Sequence, residues 1–476
     1  MSTFEITVQR KSDQHYPIVV ESSQSAEQLP IRSEGELRLT PDAITQLLSL
    51  MGDPKEYGTY LGQLLFDGTI DDAFAMARAK SPNCLRLLLF LEADDSAIKK
   101  IRWERLCAPI DGSWNFLRRD QRIPYSLYIP SITARRFPPI GQHNLSMLIL
   151  VASPVNSARF GLATFDVAET VASVQAAVGD KIQCDVLAHE VEGAVGVPSL
   201  DDLVKQLTQK SYTFLHMVCH GRQADDTALF LADHENQVKV VEGQHFIEEL
   251  KNIHGPHGLP HFTFLCTCES AKQSDDGAFG GFAGQLVRDL GMPAVVAMTE
   301  KISITTAETL ISAFYQRLTE HGEVDRALDE ATATVSSRHD ALVPALFSRL
   351  GGRSLFSDSL DRPLTSEEIE YGLERLQTLL TQRAPVLLDE FKQQRETLNR
   401  TMGVDVAALN TTAIKERDAA LARMNEICGE VLDLSFNAVV LGKPIPAYDE
   451  RCPFRGLYPF RQEDEEFLLC PLQLAT

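Results

Sequence analysis

A chain of 476 residues with 44% hydrophobic and 23% charged side chains has the make-up of a folded globular protein and room for two to four domains. Its formal net charge of −21 argues against a surface for nucleic acid or anionic membrane, and no basic cluster offsets it. The opening residues, MSTFEITVQRKSDQ, lack the basic-then-apolar layout of a signal peptide. The best candidate for a membrane span, LSMLILVA at 145–152, falls well short of the ~18–20 apolar residues required. The expectation is a cytoplasmic protein with no membrane and no nucleic-acid partner. Its nine scattered cysteines read as reduced thiols rather than a disulfide framework.

In chain order, FEITVQR alternates as an opening strand, DAITQLLSLMG reads as a short helix, and CLRLLLFLE (84–92) is an apolar strand followed by RWERL at 102–106. Residues 1–140 therefore read as mixed α/β. From about 145, strands and helices alternate: the strand LSMLILVASP, an alanine-rich helix over 166–178, the strand CDVLAHEV (184–191) and the capped helix SLDDLVKQLTQ. The run TFLHMVCHG then ends at His220 and Gly221, and FTFLCTCES ends around Cys268 and Glu269. A glycine-rich turn, the helix GFAGQLVRDLG (281–291) and the strand MPAVVAM (292–298) follow. Two further helices carry stripes at helical spacing, one with Ala307, Leu310, Phe314 and Leu318, the other with Val324, Ala327, Leu328 and Ala331. This alternation implies right-handed crossovers and a mostly parallel α/β sheet flanked by helices.

A boundary falls near 350–365, where GGRSLFSDSLDRP carries turn residues. Thr365 and Glu368 fit a capping box for a helix striped by Ile369, Leu373, Leu376 and Leu380. A second helical stretch, about 412–434, is striped by Leu421, Met424, Cys428 and Val431. The last segment is rich in proline and aromatics and has no clear period.

The chemistry gathers at the ends of two apolar runs. Parallel sheets present functional groups at the carboxyl ends of their strands, so His220 and Cys268, separated by 48 residues, are placed to meet if their strands are neighbours. A histidine about 50 residues before a cysteine is the caspase order and spacing. An imidazole beside a thiol lowers the thiol pKa and supplies a general base, so Cys268 is the candidate nucleophile and His220 its base. The backbone N–H groups of Gly221 and Cys268 are candidate donors to the oxyanion. Asp275 and Asp276 are candidate lining for a substrate pocket, although a solvated charged turn is the blander reading. Cys266 shares a strand face with Cys268 but reads as a packing residue, and Cys219 as core. A zinc set of Cys219, His220, Cys266 and Cys268 is disfavoured because adjacent strand residues point to opposite faces. His254, His257 and His261 read as a solvated turn. There is no GxxxxGK[ST] loop and no GxGxxG after a strand, and no cofactor is expected.

These blocks resemble a known family. From about 58 to 350 the chain resembles a CHAT domain, a caspase-like, separase-related peptidase domain. LGQLLFDG (61–68), LRLLLFLE and RWERL are similar to its amino-terminal half, FLHMVCHG to its histidine block and FLCTCESA to its cysteine block. GAFGGFAGQLVRDLGMPAVVAM and AFYQRLTEHGEVDRALDEA are similar to its closing segment. Thr267 stands where a small alanine is common. The resemblance implies a pseudo-caspase half at 1–140 and a catalytic half at 141–355, and the residue pattern beyond them adds a helical region at 364–436 and a tail at 437–476. The resemblance also implies a cysteine endopeptidase that performs limited proteolysis on a protein or peptide substrate in bacterial defence or stress signalling. CPFRGLYPFRQEDEEF (452–467) resembles the lead-in to a STAND-type NTPase module, which implies a split or truncated relative of a larger protein and a regulatory NTPase or other partner protein. The alternative expectation is a catalytically silent caspase-fold interaction or scaffold module.

Overall fold

The computed structural model of the chain describes residues 2–12, 15–24, 29–92, 96–99, 101–129, 137, 140–141, 145–223, 227–253, 258–266 and 280–356, with part of 373–427 beyond them. Cys268, Asp275, Asp276, His254, His257, Thr365, Glu368, Ile369, Leu421, Cys428, Val431 and the tail at 437–476 lie outside the described residues. The chain divides into two compact units, Met1–Arg362 and Pro363–Thr476.

The first unit opens with β1 (Thr3–Val8), β2 (Tyr16–Ser23) and β3 (Ile31–Leu37), then α1 (Pro41–Ser49), α2 (Pro54–Leu65) and α3 (Thr69–Lys80). Next come β4 (Arg86–Leu91), the short α4 (Ser96–Lys99), β5 (Cys107–Ile110), β6 (Ser113–Phe116) and β7 (Tyr125–Tyr128). The second stretch runs β8 (Ser146–Val151), α5 (Val167–Val178), β9 (Gln183–Ala188), α6 (Leu200–Gln209), β10 (Phe214–Val218) and β11 (His220–Gln223). It continues through β12 (Thr227–Ala232), β13 (Val238–Glu242), α7 (Gly243–Lys251), β14 (Phe262–Cys266) and α8 (Gly280–Leu290). It closes with β15 (Ala294–Met298), α9 (Ile304–His321), α10 (Val324–Thr334) and β16 (Pro344–Ser348). Side-chain caps start several helices, the expected one at Ser199 among them: Thr40 accepts from the Ala43 N–H, Asp166 from Glu169 and Ser199 from Asp202.

One sheet carries both stretches, in the order β3-β2-β1-β4-β7-β16-β15-β14-β10-β8-β9. Its pairings are parallel except β1–β2, β2–β3 and β15–β16, so two parallel blocks of opposite direction meet where β16 lies against β15. This is a mixed α/β architecture consistent with a caspase-like fold. Alternation along β8 shows why its strands read as unbroken apolar runs. Met147, Ile149 and Val151 face one core under α5, α9 and α10, while Leu148, Leu150 and Ala152 face another under α6, α7 and α8. A third core fills the amino-terminal block around Phe4, Ile6, Tyr57, Leu61 and Leu89.

The two blocks are pinned together by buried charge. Arg118 donates to Asp329 of α10 at 2.8 Å and to the Tyr125 carbonyl at 2.8 Å, with both members of the pair fully buried. Arg86 of β4 donates to Asp325 at 2.8 Å. Helix α2 lies directly on the backbone of 105–107, because a Cβ on Gly58 or Gly62 would clash with the Arg105 and Cys107 carbonyl oxygens.

Several details depart from the sequence reading. TFLHMVCHG is not one strand: β10 stops at Val218, and His220 opens β11 of a separate antiparallel sheet, β11-β12-β13. His261 is half-buried beside Phe137, with ring centroids 5.1 Å apart, rather than standing in a solvated turn. In the second unit a helix over Leu388–Thr401 lies within the expected helical region but between its two striped stretches. There Leu380, Ala384, Phe391, Leu398, Ala420, Met424 and Ile427 form a separate small core. Among the described residues, no helix is long and apolar enough to cross a membrane.

Candidate active site

The strands that lead to the candidate dyad are immediate neighbours. β10 and β14 pair in parallel register, with Val218 opposite Cys266, and the Cys219 N–H extends the ladder by donating to the Cys266 carbonyl at 3.3 Å. His220 therefore leaves the carboxyl end of one strand beside the point where the other runs on toward Cys268, two residues past Cys266. This is the sheet edge where parallel α/β proteins hold their reactive groups.

His220 is held on two sides. Its ring lies edge-on to Phe165, with centroids 5.6 Å apart, and its Nε2 is 2.7 Å from the Ala163 carbonyl oxygen. A carbonyl only accepts, so Nε2 carries the proton and Nδ1 is the basic nitrogen of the neutral ring. Only 3% of the residue is exposed, and that burial pushes its pKa below the ordinary histidine value, with the Ala163 contact pulling part of the way back. Burial thus favours the neutral imidazole at His220. Ala163 and Phe165 were missed in the sequence, because a backbone carbonyl leaves no side-chain signature.

Gly221 is the second residue of β11 and pairs with Leu229 of β12. Cys266 and Cys219 are both buried, but in the cores on opposite faces of the sheet. That separation prevents them from sharing one ion, and no group of three or more His, Cys, Asp or Glu among the described residues is arranged for a metal.

His216, one strand turn earlier, is a different kind of histidine. It is fully buried, stacks on Phe264 at 5.2 Å and shares a 2.8 Å hydrogen bond between Nδ1 and the Tyr315 hydroxyl. Burial drives its pKa down to about 3. It is a core residue.

A groove opens at the same sheet edge, between α5 and α9. Val218 and Cys266 form its floor, Phe165 and Val174 line one wall, and Ile302 and Ala307 line the other. Its water-accessible interior is about 70 Å³, room for a few waters or one side chain rather than a drug-sized ligand. The α9 wall is anchored by the RWERL segment. Arg105 donates from Nη2 alone to both carboxylate oxygens of Glu300, at 2.8 and 2.7 Å, and Arg102 reaches Glu300 at 3.1 Å. Thr299 Oγ1 lies 2.6 Å from a Glu104 oxygen and 2.8 Å from the Val343 carbonyl. Desolvation raises the Glu104 pKa, with the Arg102 charge and the Thr299 hydroxyl pulling part of the way back.

No curated protein matches the chain. A family model described as the CHAT domain matches residues 55–384, which run from α2 through β4, the RWERL segment and β7 and take in every strand from β8 to β16. This chain belongs to the CHAT domain family, a caspase-like, peptidase-related group.

Proposed function

We propose that the chain is a cysteine endopeptidase in which Cys268 is the nucleophile and His220 the base. The observation that carries this reading is the placement of His220: it sits at the carboxyl end of β10, its tautomer fixed by the Ala163 carbonyl, beside the strand that leads to Cys268. Because burial keeps the imidazole neutral, the resting pair is thiol and imidazole. Nδ1 takes the thiol proton as sulfur attacks the scissile carbonyl, and the same proton goes to the leaving amine as the tetrahedral intermediate collapses to a thioester. Water, deprotonated by the same nitrogen, then releases the acid. The N–H groups of Gly221 and Cys268 are the proposed oxyanion donors, each worth about 2.7–4 kcal/mol in comparable sites. The groove over Cys266 receives a substrate side chain. Asp275 and Asp276 follow Cys268 closely in sequence and are proposed to line the same pocket.

The biological reading is limited proteolysis of a protein substrate in the cytoplasm, in bacterial defence or stress signalling. The amino-terminal block is the pseudo-caspase half, and an NTPase or another partner protein regulates it. A library of peptidyl acyloxymethyl ketones tests the chemistry. Labelling of Cys268 that is lost in His220→Ala supports a peptidase; no labelling of Cys268 by any member would favour a silent scaffold.

A further inference from the structure

Outside the candidate dyad, the most distinctive uncompensated charge lies in the amino-terminal block. An open depression of about 600 Å³ is formed by the start of α2, by β6 and by the 3-10 turn at Leu117–Arg119, and it is lined by Lys55, Asn115, Phe116, Arg119, Asp120 and Arg122. Its volume lies within the range of small-molecule sites, ~300–1,000 Å³.

The charges in it divide cleanly. Arg122 holds Asp120 with Nε and Nη2 at 2.9 and 2.7 Å and reaches Asp111 at 2.8 Å, so those carboxylates are already answered. Arg119 is not. Its guanidinium lies over the Phe116 ring, 4.9 Å from the centroid. Its Nε is buried without a hydrogen-bond partner, and among the described residues it makes no ion pair. Burial pushes its pKa down, as expected for a cation taken from water without an anion. Lys55 stands over the same ring, 5.2 Å from the centroid, with its ammonium on the Trp114 carbonyl and, among the described residues, no carboxylate partner. It also sits in the first turn of α2, where a positive charge opposes the helix dipole. Two cations set over one aromatic ring, in a protein of net charge −21, are placed at a local electrostatic cost that a bound anion would remove.

We propose that this depression is a binding site for a small phosphate monoester, with the phosphate between Arg119 and Lys55. A monoester carries about −1.5 to −2 at neutral pH, which matches two unanswered cations, and the planar guanidinium fork suits its oxygens. Asn115 and Phe116 border the space left for the remainder of the ligand. The site is independent of the peptidase reading, since none of its residues belongs to the dyad or the groove.

The test is titration calorimetry and thermal unfolding of the full chain with inorganic phosphate and with glycerol phosphate, against sodium chloride and citrate at matched ionic strength. The expected result is a saturable rise in melting temperature with both phosphates but not with chloride, and weaker binding of citrate. Arg119→Met is expected to weaken phosphate binding by about tenfold or more. Should Arg119→Met fail to fold, Lys55→Met, at an exposed position, is expected to show a smaller loss in the same titration. Phosphate no better than chloride, citrate equal to phosphate, or full phosphate binding in both variants would overturn the assignment.

Discussion

The two parallel blocks of the sheet share an architecture and use it differently. In the second block, β10 and β14 run out into His220 and toward Cys268, and the strand ends carry the candidate chemistry. In the amino-terminal block, β4 and β7 run out into Leu91-Glu92 and Tyr128-Ile129, with no thiol or imidazole at either end. That block spends its polar residues on contacts to the other: Arg86 to Asp325, Arg118 to Asp329, Arg102 and Arg105 to Glu300. Under the proposed function, one block carries the reaction and the other holds its partner in shape. The division of labour predicts that mutations in the first abolish chemistry at little cost in stability, and mutations in the second do the reverse.

The largest expected effect tests the reactive block. Cys268→Ala should eliminate cleavage of any identified substrate, and His220→Ala should lower kcat about 10²–10⁴-fold, with unfolding midpoints near wild type. Next, Arg118→Met leaves Asp329 buried without its partner and should cost about 3–5 kcal/mol in urea unfolding. Equal loss of activity and stability in all three variants would erase the distinction between the blocks.

Arg105→Gln probes the seam between them. Loss of the Nη2 contact to Glu300 should cost about 1.5–3 kcal/mol and loosen the wall that carries Ile302. Alkylation of Cys266, on the groove floor, should then quicken while the buried Cys107 and Cys219 stay protected. Equal quickening of all three thiols would mean global destabilisation instead. The last effect concerns His216 and shows only on acidification. Its folded pKa of about 3 lies below its unfolded value near 6.5, so between those values the unfolded chain binds the extra proton. Stability from this group is present above pH 6.5 and falls by up to about 1.4 kcal/mol per pH unit as the pH drops toward 3. Unfolding measured from pH 6 to pH 4 should be correspondingly less steep in His216→Phe.

What the sequence disclosed follows the same division. β8, β10, β14 and β15 are covered on both faces, so each is a continuous apolar run ended by polar residues or turns, and each was legible. β3, at the sheet edge, reads IRSEGEL; its charges and glycine guard an exposed edge and hide the strand. The helix over Leu388–Thr401 was hidden because Phe391 and Leu398, two turns apart, are the residues it places in the small core among mostly charged and polar neighbours. The dyad could be suggested from order and spacing, but the Ala163 carbonyl that sets the His220 tautomer could not. Nor could Arg118 and Asp329, 211 positions apart, be paired from sequence. RWERL was visible as a motif, yet its role required the distant Glu300 and Thr299.

The measurement that bears most directly on the central claim is the rate of Cys268 alkylation against pH, in the intact chain and in His220→Ala, with the modified peptides mapped. With a neutral base at His220, Cys268 should react faster than Cys266 and Cys219 at neutral pH, and its rate should hold through pH 6.5 and fall only below it, following the lowered His220 pKa. In His220→Ala the rate should drop and rise again only toward the ordinary thiol range near ~8.5. A Cys268 as slow as its neighbours, with the same profile in the variant, would contradict a poised dyad.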